Sequence, residues 1–137
     1  MRRIVAGALV TMVLITSQLA GVATAHTFVA STSLTIHKVP SGKVAKGTTM
    51  VVYGKLKSDH KVCREDQLIK LMKVRQGEDK VKAKDRTDTE GEYFFTFNAK
   101  KDQKLYTKFS KVVETSYGHS HTCKGSTSKT IKIDVKK

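Results

Sequence analysis

Apolar and polar residues alternate with a period of two along most of the chain, in short runs separated by turn-forming residues. The clearest run is residues 87–97, where Thr-Asp-Thr-Glu-Gly-Glu makes a polar turn closed by Gly91 and Tyr93, Phe95 and Phe97 then alternate. The same pattern predicts strands at residues 33–37, 48–56, 67–74, 80–86, 92–98, 104–113 and 129–135. In the first, Leu34 and Ile36 share a face opposite Thr35 and His37. In the last, Ile131, Ile133 and Val135 face inward against Lys132, Asp134 and Lys136. Gly54, inside the second strand, predicts a bulge or a close backbone approach. Pro40-Ser41-Gly42 and Gln76-Gly77-Glu78-Asp79 supply turns. Residues 26–31 show no clear period, and residues 57–66 and 114–126 are polar and read as loops. No stretch has a helical period. Seven strands with turn signals between them predict an all-β fold, a seven-stranded immunoglobulin-like β-sandwich without internal repeat or linker.

The first residues do not belong to that pattern. Arg2-Arg3, the apolar run 4–19 and Ala23-Thr24-Ala25 follow the order of a secretory signal peptide: charged, apolar, then small residues at the cleavage site. The predicted cut follows Ala25. Residues 1–25 are then the signal peptide, and residues 26–137 form one domain of 112 residues, secreted to the extracellular space or cell surface.

Export changes the reading of Cys63 and Cys123, the only two cysteines. An even count in an oxidising compartment predicts one disulfide between them. They fall between the second and third strands and between the sixth and seventh, loops that lie at the same end of an immunoglobulin-like sandwich.

The formal net charge is +14, and loss of Arg2 and Arg3 lowers it by two, to +12. Such a balance favours polyanions: anionic cell-wall polymer, sulfated glycan or a membrane surface. Lys100, Lys101, Lys104 and Lys108 lie along the sixth strand and its entry turn, and Lys132 and Lys136 along the seventh, where pairing would join them into a basic stripe. The stripe has no interleaved aromatics of the kind that stack bases, and an exported chain rarely meets nucleic acid. The expected state is a monomer.

The turn Thr87-Asp88-Thr89-Glu90-Gly91-Glu92-Tyr93-Phe94-Phe95 resembles the TDxxGxYxF turn of carboxypeptidase-regulatory-like, transthyretin-like and Cna-B-type domains. The fuller string, residues 46–56, Cys63, residues 87–97 and residues 123–135, resembles small secreted bacterial Ig-like proteins without assigned activity. The resemblance implies an exported, non-enzymatic binding or structural module and carries over no catalytic residue or cofactor.

An alternative function rests on histidines. After the predicted cut His26 is the first residue, and a terminal amine together with its own imidazole chelates copper(II), which favours nitrogen-rich tetragonal sites. His119 and His121 in Tyr-Gly-His-Ser-His, and His60 beside Cys63, are the candidate partners. The arrangement resembles the histidine brace of lytic polysaccharide monooxygenases and CopC-type periplasmic copper carriers, although the chain is short for a monooxygenase and lacks the CopC motifs around the terminal histidine. His60, His119 and His121 alone form a simpler three-histidine zinc alternative. Asp88, Glu90 and Glu92 are expected to shape a turn. No Gly-x-Ser-x-Gly elbow or glycine-rich phosphate loop is present, and no enzyme is expected.

Overall fold

The computed structural model describes residues 25–137, so the expected signal peptide, residues 1–25, lies outside the described residues except for Ala25. Among the described residues thirteen strands follow one another: β1 (Thr27–Ala30), β2 (Ser33–Leu34), β3 (His37–Val39), β4 (Lys43–Val44), β5 (Thr49–Lys57), β6 (Leu68–Lys73), β7 (Lys80–Arg86), β8 (Glu92–Asn98), β9 (Gln103–Phe109), β10 (Val112–Ser116), β11 (His119–Cys123), β12 (Ser126–Thr127) and β13 (Ile131–Val135). One 3-10 turn, Lys61–Cys63, follows β5. The chain is all-β, in several open sheets compatible with a β-sandwich.

Alternation explains the two larger sheets. In β5 every second residue is buried, Met50, Val52, Gly54 and Leu56, and the strand pairs with β2 and β3 on one side and β8 on the other. The other large sheet has the order β4-β13-β9-β6-β7, with β12 added beside β9. Their inward residues form one cluster that includes Met50, Val52, Leu56, Tyr93 and Phe95 from one sheet and Ile69, Leu71, Leu105, Phe109 and Ile133 from the other. Full burial of each such side chain is worth about 1.5–3 kcal/mol. Ile131 and Val135 pack against the edge of this cluster, as the alternation of the last strand predicts.

The 87–97 stretch folds as a turn feeding β8. The Asp88 Oδ1 accepts hydrogen bonds from the main-chain N–H groups of Glu90 and Glu92, each at 2.9 Å, and Gly91 sits at φ 83°. Asp88 is therefore spent on the turn. Tyr93 and Phe95 point inward, 2% and 4% exposed, while Phe97 is only half-buried and carries the Lys82 ammonium 4.3 Å from its ring centroid. The Tyr93 hydroxyl is the polar group at the centre of the core. It donates to the Thr35 carbonyl and shares a 2.9 Å hydrogen bond with the Thr107 hydroxyl, and burial pushes its pKa up to about 12. Gly54 lets the strands close over it: a Cβ there would collide with the Thr35 carbonyl and the Tyr93 hydroxyl. The close-approach reading of Gly54 holds, and the reason is a buried tyrosine.

Three elements depart from the sequence reading. Residues 26–31 are not a formless lead-in, because Thr27–Ala30 is a strand pairing in parallel with β11. Residues 114–126 are not one loop, because β10 and β11 form an antiparallel hairpin there. The expected strand 104–113 breaks between Phe109 and Val112, so that β9 stays in the large sheet while β10 joins a separate three-stranded sheet with β11 and β1. The strand segments accordingly outnumber the expected seven.

The Cys63–Cys123 disulfide is present, with Cα atoms 5.4 Å apart and both residues buried. It ties the 3-10 turn after β5 to the last residue of β11. A disulfide is typical of extracellular proteins. No helix among the described residues is long and apolar enough to cross a membrane.

Candidate metal centre

The short sheet β1-β11-β10 assembles the histidines. The β10–β11 hairpin closes through Tyr117 and Gly118, both at positive φ (47° and 78°), which is the backbone of the two-residue turn whose twist matches paired strands. That turn makes residues 119–123 an extended strand, and in an extended strand His119 and His121 share a face. On the other side of β11, the parallel register sets Thr27 opposite Ser120 and Phe28 opposite His121, with Ser120 N–H donating to the His26 carbonyl at 3.2 Å. His26 and Phe28 therefore project from the same face as His119 and His121.

The contacts follow from that register. The His26 main-chain nitrogen lies 3.3 Å from the His119 Nδ1, and the His26 Nε2 lies 3.3 Å from the His121 Nε2. The ring centroid of His26 is 4.1 Å from that of His119 and 5.4 Å from that of His121. Two donor pairs from residues more than ninety positions apart thus meet at one edge of the fold. Glu114 stands opposite His121 across the hairpin and places a carboxylate-bearing residue beside the cluster.

His60 is placed differently. Its ring stacks on Phe28 at 4.0 Å, 11° from parallel, and His121 stacks on the same Phe28 ring at 4.3 Å. Two rings stacked so closely on one phenyl must take its opposite faces, so Phe28 stands between His60 and His121. The structure brings together His26, His119 and His121 and keeps His60 one ring away.

Among the described residues, no three side chains of His, Cys, Asp or Glu surround a common point. The group that faces His119 is the His26 main-chain N–H, not a side chain, and it donates to the His119 Nδ1. In the uncut chain that nitrogen is an amide with little donor power towards a metal.

The lysines of the expected stripe are split between two places. Lys104 and Lys132 stand directly opposite each other across β9 and β13, and Lys108 lies on the same outer face of β9. Lys100, Lys101 and Lys136 instead line a concavity at the end of β13, with Asp102, whose Oδ1 holds the Val135 N–H at 2.7 Å. Sequence reasoning missed Lys70 and Lys84, whose strands join this sheet from its other side: Lys70 sits between Lys84 and Lys108. Their signal was the outward alternation of residues 67–74 and 80–86. A groove of about 640 Å³ between His37, Tyr53, Glu92 and Phe94 is lined by none of the candidate histidines.

The described domain is an all-β protein with one disulfide and a surface histidine cluster. No protein-family model matches the chain, and no curated protein matches it.

Proposed function

We propose that the mature protein is an exported, non-enzymatic copper-binding module on an immunoglobulin-like sandwich, with His26 as its first residue. The observation that carries this reading is the meeting of the His26 nitrogens with His119 Nδ1 and His121 Nε2, each at 3.3 Å, where the residue before β1 meets β11. Copper(II) suits an amine-and-imidazole set better than the harder cations, and it outranks zinc at nitrogen sites of equal geometry. The Phe28 ring against His121 and the Cys63–Cys123 bridge at the end of β11 hold the strand that presents two of the ligands. Such a support fixes imidazole orientation before the metal arrives.

Terminal sequencing of the exported protein is the first test, with His26 as the expected first residue. Copper(II) titration of that form, followed by electron paramagnetic resonance, is expected to give a tetragonal spectrum with nitrogen hyperfine structure. A His26→Ala chain that bound copper as tightly as wild type, or a mature terminus elsewhere, would overturn the proposal.

A further inference from the structure

The outer face of the β13-β9-β6-β7 sheet carries lysines where a sheet ordinarily avoids them. In register, Lys84 of β7 stands opposite Lys70 of β6, and Lys70 stands opposite Lys108 of β9. This is a row of three ammonium-bearing residues on three adjacent strands, about 4.8 Å from one strand to the next. A second like-charge pair, Lys104 opposite Lys132, lies four residues along β9, about 13 Å away. Like charges directly opposite one another weaken strand pairing. Among the described residues, three ion pairs are formed, and none includes Lys70, Lys84, Lys104 or Lys108. Lys132 is paired with Asp134, whereas these four ammonium groups have no ion-pair partner among the described residues and are free to meet an external anion.

From this charge complementarity we infer that the face docks a linear phosphodiester polyanion of the anionic cell-wall type. Lysine offers a compact point charge with freely rotating donors, in contrast to the fixed bidentate fork of arginine. A row of such charges suits a flexible chain of evenly spaced phosphates and selects no particular base or sugar. The one aromatic residue of β9 on this face, Tyr106, has its hydroxyl committed to Asp79 at 2.8 Å, and no row of aromatic rings accompanies the lysines to stack bases. The surface lies on a different sheet from the histidines, so it stands or falls independently of the copper site.

The test uses the mature chain and purified poly(glycerol phosphate), with affinity measured against salt concentration. Wild type is expected to lose affinity linearly on a log–log plot, because bound counterions are released. The triple variant Lys70→Gln, Lys84→Gln, Lys108→Gln is expected to reduce that slope by about two to three and weaken binding at low salt by about tenfold or more. A charge-matched control, Lys46→Gln, Lys57→Gln, Lys124→Gln, is expected to keep most of both. Thermal melts of the triple variant should match wild type, since none of the three lysines forms an ion pair among the described residues. Equal losses in the two triples would reduce the effect to net charge and overturn the inference. So would absence of binding, salt-independent binding, or markedly tighter binding of single-stranded DNA or heparin than of the phosphodiester.

Discussion

The His26 Nε2 lies 3.3 Å from the His121 Nε2, although 95 residues separate them along the chain. The contact exists because β1 and β11 pair in parallel, an arrangement that requires the whole domain as the crossover connection. Metal affinity should therefore discriminate sharply between histidines that look equivalent in the sequence. His121→Ala is expected to weaken copper(II) binding by about a hundredfold or more, and His60→Ala by only a few-fold, because Phe28 stands between His60 and His121. Parallel calorimetric titrations of the two variants check this, and comparable losses would place His60 among the ligands.

Loss of the disulfide should be felt both globally and locally. The bridge closes a loop of 60 residues, so reduction or Cys63→Ala with Cys123→Ala is expected to cost about 4 kcal/mol on the chain-entropy account. Denaturant unfolding measures it. Because Cys123 pairs with both Ala30 and Val112 at the end of β11, hydrogen exchange should accelerate first in β1 and β10.

Alkaline pH should destabilise the protein through Tyr93. The buried hydroxyl keeps its proton up to about pH 12, whereas an unfolded tyrosine releases it near 10. The neutral phenol is the form the fold accommodates, so this contribution is complete below about pH 10 and is lost as pH rises towards 12. It amounts to on the order of 2 kcal/mol. Tyr93→Phe should be less stable than wild type at neutral pH, since the Thr107 hydroxyl loses its partner, yet should lose less on passing from pH 9 to 11. Chemical denaturation at both pH values gives the comparison.

Gly54→Ala should be among the most damaging single-methyl additions in the chain. The new Cβ meets main-chain oxygen of Thr35 rather than a movable side-chain end, and it meets the Tyr93 hydroxyl as well. A loss of about 3 kcal/mol is expected, at the upper end of overpacking costs. Gly77→Ala, which meets no atoms but sits at φ 86°, should cost only about 1 kcal/mol. Melting curves of the two variants separate steric collision from backbone strain.

Much of the fold was legible because its strands bury every second residue. Leu34 with Ile36, Tyr93 with Phe95, and Ile133 between Ile131 and Val135 announce their inward faces by period alone. The cysteine pair was equally legible, since two thiols in a chain with an export-like leader have few other uses. The lysine-rich sixth and seventh strands were recognised, and their pairing puts Lys104 opposite Lys132. The histidine sheet was hidden by its composition. His-Ser-His-Thr-Cys has no apolar alternation, and its hairpin turns on Tyr-Gly rather than the Asn-Gly or Asp-Gly that marks most such turns. Lys70 and Lys84 were hidden for another reason: each is an ordinary outward residue on its own strand, and only register makes them neighbours.

The sequence by itself determined that this chain is a β protein with one cysteine bridge, because alternation and thiol chemistry act locally or through counts. It also named the histidines worth watching. Only the tertiary structure decided which of them meet, setting His26 against His119 and His121 and Phe28 against His60. It likewise decided that Lys70 completes a row between Lys84 and Lys108. The physical reason is the same in both cases: side-chain period specifies which face a residue takes, while strand order and register, set by the packing of the whole core, specify what stands beside it.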